Sequence, residues 1–298
     1  AAIEECPDAQ LAAVCDIDET LRDRVTGVPF FTDYEKMLDT LRPDCVHISP
    51  SPRASLSGGP RGRQRRVPCL TEKPMALNPE EAQKFTELEG RFGVKVGVCF
   101  QNRLNPTVQV LRREIQRGSS GRLPGYTRRW PGSEAEPTMR QSWRGKMADS
   151  GGGCMMNQAV HTLDLMQYLL PSKLFSIQGI TGQLLDYGLE VEDTAAAKLV
   201  FQNGAQGYFT ASVANYENQS VRIKVQCENA AFLLDQERLW KITPDQKDPA
   251  LLAQDKTPSV GKSYYGSSHS ALIHQFYQAI LHGGENYIHT QDAASAFK

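Results

Sequence analysis

Three side chains carry the chemistry legible in this chain: Lys73, His161 and Asp16. Lys73 stands between Glu72 and Pro74 in the stretch CLTEKPMALNPEEA, residues 69–82, where an apolar run meets a helix start. Pro74 donates no backbone hydrogen bond and biases Lys73 away from helical dihedrals. Asn78 reads as the helix N-cap, Pro79 as the first helical residue, and Glu80 and Glu81 as its acidic first turn. An ammonium at such a strand-to-helix junction lies where open α/β sheets place reactive groups. As a bare tripeptide it reads equally as a surface lysine in a turn.

His161 lies in MMNQAVHTLDLMQYLL, where Asn157, His161, Asp164 and Tyr168 fall at i, i+4, i+7 and i+11. That spacing puts them in one polar stripe on an otherwise apolar helix. Unpartnered buried polar groups cost ~1–3 kcal/mol each, so the stripe needs partners. Two readings stand: a core histidine bonded to Asp164, or an acid/base histidine facing a cleft between two domains. Asp16 ends the apolar run before DIDE. In a dinucleotide-binding unit an acid there accepts hydrogen bonds from the adenosine ribose and repels a 2′-phosphate, favouring NAD over NADP. Aspartates are also common in turns.

The elements that must position these residues follow from periodicity. Short apolar runs in AQLAAVCDIDE, PDCVHISP, CLTEKP and VKVGVCFQNRLNP alternate with amphipathic segments at 31–41, 78–93 and 106–118. This pattern predicts a parallel, doubly wound sheet. Past about residue 122 the stretches LFSIQGITGQLLD, DTAAAKLVFQNGAQGYFTASVAN and VRIKVQCENAAFLLDQERLWKI alternate with period two and carry turn signals such as QNG, predicting a mostly antiparallel sheet entered through the His161 helix. A last helix spans HSALIHQFYQAILH and ends at a glycine pair. The domains are read as 1–104, a Rossmann-type NAD(P)-binding unit, and 105–298, an α+β unit with a large open sheet.

Bulk composition narrows the classes. Lys and Arg total 33 against 34 Asp and Glu, a net charge of −1, which gives no support to a nucleic-acid or anionic-membrane partner. No apolar run approaches the ~20 residues of a membrane helix. The seven cysteines are scattered without CxxC or Cys/His spacing, so free thiols in a reducing cytoplasm are expected and a metal site is not. No G-x-G-x-x-G phosphate loop occurs, and Gly151–Gly153 follow no βαβ strand. The expectation is that a first strand, the loop and most of the first helix lie upstream of Ala1, and that the chain is cut at both ends.

In order along the chain, Asp16, DYEKML, CVHISP, TEKP, FQNRLNP, SWRG, GGGCMMNQAVHTLDL, VEDTAAAKLVFQNGAQG and SSHSALIHQFYQAI resemble the Gfo/Idh/MocA family, relatives of glucose–fructose oxidoreductase and inositol dehydrogenase. The resemblance spans nearly the whole chain; EKP and NQAVHTLDL, about 85 residues apart, are its specific pair. It implies an NAD-binding Rossmann domain and a C-terminal domain whose open sheet shapes the substrate pocket and mediates a homodimer or tetramer. It also implies an enzyme moving hydride between nicotinamide and a secondary hydroxyl of a sugar, cyclitol or polyol. Lys73 then helps move the hydroxyl proton, His161 matches the catalytic histidine, and Asn157 stands where aspartate is frequent. An amide is no base, so Asn157 orients. By the same resemblance Asp16, Ser49, Pro50, Glu72, Lys73 and Gln101 contact the cofactor, and Asn102, Arg103, Trp143, Arg144 and Asp164 the substrate.

The pattern breaks after Pro50. Ser51 and Ala54 stand where the family has asparagine and histidine, and the expected apolar crossover helix is replaced by a Gly-Gly-Pro break with Arg53, Arg61, Arg63, Arg65 and Arg66. Native spacing with foreign composition suggests a shifted and restored reading frame; resequencing that finds no compensating indels removes this hypothesis. Residues 123–141 are expected to lack the strand the family has there. Competing functions are an NAD-using glycosidase, a nucleotide-sensing regulator and an inactive fragment; retention of both Lys73 and His161 argues against the regulator.

Overall fold

In this computed structural model the described residues are 3–49, 66–123, 125–131, 145–170, 172–185, 188–214, 221–256 and 268–297, with 126–131 described by backbone alone. The chain divides into two compact units, residues 1–99 with 269–298, and residues 100–268.

In the first unit β1 (Val14–Cys15) and β2 (Phe30–Phe31) pair in parallel, and β3 (Val46–Ile48), β4 (Cys69–Thr71) and β5 (Val96–Val98) form a parallel sheet in that order. Their buried residues are apolar with few exceptions, as parallel strands covered on both faces require. Helix α1 (Tyr34–Leu41) starts at Asp33, whose carboxylate accepts from the Lys36 amide, and turns Met37 and Leu38 inward. Helix α2 (Pro79–Phe92) has the cap read from sequence: Asn78 Oδ1 accepts from the Glu81 amide at 2.8 Å with Pro79 behind it. It ends at Gly93, whose φ of 62° is the left-handed conformation that favours glycine.

The domain boundary differs from the sequence reading. Helix α5 (His269–His282) and the strand-like segment after it return to the first unit rather than staying with the second. The Val98 amide donates to Ile288 O at 3.0 Å, and Gly97 bridges to His289. A Cβ at Gly97 would lie 2.7 Å from Leu70 and 3.0 Å from Phe276, so β5 is glycine where α5 packs closest. The first break also falls at residue 99 rather than 104. A chain that leaves a unit and comes back has no local signature.

The second unit contains α3 (Pro106–Arg117), β6 (Gly125–Pro131), α4 (Val160–Leu169) and β7 (Leu174–Gly182), β8 (Thr194–Phe201), β9 (Gln206–Ser212), β10 (Arg222–Gln226), β11 (Ala231–Asp235), β12 (Arg238–Ile242) and β13 (Ala250–Gln254). These strands form one sheet, β13-β12-β11-β10-β6-β9-β8-β7, antiparallel except at β6–β9. Ala195, Leu199, Phe209, Ala211, Ile223 and Val225 point inward against Val108, Leu111, Leu165 and Met166 of α3 and α4. Gly207 lets Met166 reach the sheet, since a Cβ there would lie 3.0 Å from its Cε. The opposite face, with Tyr208, Thr210 and Lys224, is exposed.

Strand β6 corrects the expectation for residues 123–141: residues 125–131 do form a strand, paired with β9 on one side and β10 on the other. Backbone groups satisfied by two neighbours make a strand of GYTRRWP although its residues do not alternate. Most of the arginine-bearing stretch, residues 50–65, lies outside the described residues. All seven cysteines are free thiols, and among the described residues no helix is long and apolar enough to cross a membrane.

Candidate active site

The expected site residues are divided between the two units, and each half is built locally. In the first unit, the carboxyl ends of β3 and β4 bring Ser49, Glu72 and Lys73 to one edge. The Glu72 amide donates to Ile48 O at 2.8 Å and the Cys99 amide to Thr71 O at 2.9 Å, which registers the three strand ends. Lys73 is half-buried, the Lys73–Pro74 peptide is cis, and Met75 and Ala76 behind it are fully buried. The turn that presents Lys73 is therefore anchored in the core on its far side.

Glu72 faces His269, with Oε1 3.6 Å from Nε2. Burial by itself would raise the Glu72 carboxyl, but His269 and the Lys73 ammonium outweigh it and hold the group below the ordinary glutamate range. Burial and the Glu72 charge push the Cys99 thiol far up, so it stays protonated. Burial lowers His47, whose Nε2 lies 2.8 Å from the Tyr277 hydroxyl.

Asp16 follows β1 half-buried, as read from sequence, and its Oδ1 accepts from the Asp18 amide at 2.9 Å. A hydroxyl, a carboxylate and an ammonium on one parallel-sheet edge, with a separate carboxylate at the end of β1, form a donor set that fits a nicotinamide nucleotide. Pro50, Trp143 and Arg144 lie outside the described residues.

In the second unit the His161 helix starts in an unusual way. Residues Met155–Ala159 form one π-helical turn that runs into α4, a feature that recurs at functional sites. Glu192 holds its start: Oε2 accepts from the Gly153 amide at 2.9 Å, Oε1 from the Met155 amide at 3.0 Å, and the Glu192 carbonyl from the Cys154 amide at 3.0 Å. The Glu192 carboxylate and carbonyl together thereby satisfy three amide donors at a helix N-terminus. The approach is possible only because residue 153 is glycine, since a Cβ would sit 1.8 Å from Glu192 O. Gly153→Ala is expected to cost ~1–3 kcal/mol or more by forcing backbone apart. Urea unfolding checks it, and a loss under about 0.5 kcal/mol would show that the junction yields freely.

Asn157 donates both its backbone N–H and its side-chain amide to Gly153 O, each at 3.1 Å, so the π turn fixes its orientation. His161 is 2% exposed and meets Phe100 edge-on, ring centroids 5.6 Å apart. The partner expected for His161, Asp164, is engaged by Arg103: Nε donates to Oδ2 at 2.8 Å and Nη2 to Oδ1. Arg103 lies over the Tyr168 ring at 5.0 Å, and Gln109 Nε2 donates to the Tyr168 hydroxyl at 2.8 Å.

Arg103 and Asp164, expected among the substrate contacts, form a buried ion pair, which fixes α4 to the turn Gln101–Leu104. Gln101 and Asn102 are buried on that same turn. Sequence reasoning missed Glu192, Phe100 and His269 as parts of the site. The ED pair of VEDTAAAK was visible, but nothing local shows a carboxylate reaching a helix 39 residues away. Among the described residues no group of three or more His, Cys, Asp and Glu could hold a metal ion.

Residues 1–100 match the model of the oxidoreductase family with an NAD-binding Rossmann fold, and residues 108–233 match the GFO/IDH/MocA C-terminal domain. The chain is similar to levoglucosan dehydrogenase of Pseudarthrobacter phenanthrenivorans, 22% identical over 83% of this chain and 72% of that one. It is similar to D-glucoside 3-dehydrogenase of Escherichia coli, 24% identical over 72% of this chain and 66% of the relative. In fold it is similar to an oxidoreductase from Agrobacterium radiobacter solved with NAD+, L-tartaric acid and magnesium, with a TM-score of 0.86, 18% identity, and coverage of 99% of this chain and 88% of that one.

Proposed function

Since the chain belongs to the GFO/IDH/MocA family of oxidoreductases with an NAD-binding Rossmann fold, we propose that it oxidises a secondary hydroxyl of a sugar, cyclitol or related polyol with NAD. The observation that carries this reading is Lys73, held at the carboxyl edge of a parallel sheet beside Glu72 by a turn whose back is buried. Bound NAD supplies the hydride acceptor at its nicotinamide ring. Ser49, Glu72 and Lys73 would hold its nicotinamide end and Asp16 its adenosine ribose.

The overall change is alcohol plus NAD+ to ketone plus NADH and a proton. Lys73, as the neutral amine, takes the hydroxyl proton while the carbinol C–H bond breaks and its electron pair leaves as hydride. His161 is the second acid/base group of this reading, and the edge of Phe100 fixes the plane of its ring. Asn157, with its amide nitrogen committed to Gly153 O, presents a carbonyl oxygen that orients a substrate hydroxyl. The Arg103–Asp164 pair and Glu192 hold the helix carrying both residues.

The likeness to a levoglucosan dehydrogenase and a glucoside 3-dehydrogenase supports a pyranose or cyclitol over a linear substrate. The exposed sheet face with Ile180 and Tyr208 supports a homo-oligomer through this sheet. The test incubates the purified chain with NAD or NADP and a panel of pyranosides, inositols and linear polyols, following nicotinamide reduction, with light scattering giving the mass. NADH appearing with a ring polyol supports the reading. Binding of neither nucleotide by calorimetry overturns it for this chain, and a monomer mass overturns the oligomer.

A further inference from the structure

The cluster behind Lys73 contains a group that nothing in the proposed chemistry uses. His269 opens the fourteen-residue helix α5, which belongs to the first unit, and its Nε2 lies 3.6 Å from Glu72 Oε1. Glu72 is the residue directly before Lys73, and the Lys73 charge acts on its carboxylate. Among the described residues the other titratable groups that act with Glu72 are Cys99, after β5, and His47, on β3. Burial keeps the Cys99 thiol protonated and favours the neutral form of His47, so neither supplies a charge to the carboxylate near neutral pH. His269 is thus the ionisable partner that α5 brings to Glu72. The side chains of the two are 38% and 35% exposed, open enough to exchange protons with solvent.

We infer that His269 is a positioning residue for the reaction: through Glu72 it tunes how readily Lys73 accepts the substrate proton. The inference rests on the reading of Lys73 as proton acceptor. A carboxylate beside an ammonium stabilises the ammonium and so opposes proton uptake by the amine. When protonated, an imidazole beside the same carboxylate draws part of that field away and adds its own repulsion. Losing the imidazolium favours the ammonium, whereas losing the carboxylate disfavours it. The two changes act with opposite signs.

The experiment measures kcat/KM for alcohol oxidation against pH at saturating NAD, in the full chain and in His269→Gln, Glu72→Gln, His269→Lys and Lys73→Ala. The acidic limb is expected to move to higher pH by about half to one unit in His269→Gln, and to lower pH in Glu72→Gln. His269→Lys restores the positive charge and is expected to bring the limb back. A packing role would lower the rate without moving the limb, and could not give opposite shifts for the two glutamine variants. A limb unmoved in His269→Gln, or moved to lower pH, overturns the inference while Lys73→Ala is inactive. An acidic limb that survives in Lys73→Ala instead overturns the reading of Lys73 itself. Circular dichroism and NAD calorimetry on each variant separate these outcomes from misfolding.

Discussion

Lys73→Ala is expected to lower kcat for alcohol oxidation by ~10²–10⁴-fold, the range that a positioned acid/base group contributes. NAD affinity should fall by only a few fold, because Lys73 is one of several residues proposed to hold the nucleotide and the turn that bears it stays fixed by buried Met75 and Ala76. Lys73→Arg is the sharper variant. Arginine keeps the positive charge and most of the length, but its guanidinium does not give up a proton in the working range. If Lys73 only attracts a negative charge or fills space, arginine rescues. If Lys73 must take the hydroxyl proton, arginine fails as badly as alanine. Steady-state NADH formation together with NAD calorimetry decides it, and Lys73→Arg within about fivefold of the parent removes Lys73 as proton acceptor.

Arg103→Met is expected to destabilise the second unit by ~3–5 kcal/mol. Asp164 is 1% exposed and its carboxylate is bound by the guanidinium through two hydrogen bonds, so removing the arginine strands a buried anion. Methionine keeps much of the packing against Phe100 and Tyr168, which leaves charge as the main loss. The double variant Arg103→Met with Asp164→Leu should recover most of the stability, because burying two apolar side chains carries no desolvation penalty. Urea midpoints at neutral pH test both. A single-variant loss under about 1 kcal/mol, or a double variant no better than the single, shows that the pair is not electrostatically coupled. The double variant also separates stability from function: it should fold, yet turn over more slowly if α4 needs the pair to hold His161 in place.

How much of the site was legible depended on the range of the interaction. The capping of α2 by Asn78, Pro79 and Gly93 is written within sixteen consecutive residues and obeys local rules. The placement of Lys73 after β4 is similarly local. The polar stripe of the His161 helix was half right. Its residues do share one helix, but the π turn at Met155–Ala159 gives Asn157 its own anchor at Gly153, and Asp164 is bound by Arg103 from the turn before α3. A period-3.6 pattern says which face a side chain occupies, and not which distant group meets it there.

The sequence by itself determined the fold class and singled out the candidate reactive groups. Strand and helix periods, caps and breakers are short-range properties of the chain; they put Lys73 and Asp16 at element ends and His161 within a helix. Tertiary structure alone decided the partners: Glu192 on the start of the His161 helix, Arg103 on Asp164, His269 on Glu72, and α5 on the first unit. It also decided β6, which is a strand because β9 and β10 flank it. The physical reason is clearest for Glu192, Arg103–Asp164 and β6. Burying a charge or an unpaired backbone group is costly, so each finds a complement wherever the chain returns to it, and that meeting point depends on the path of the whole fold.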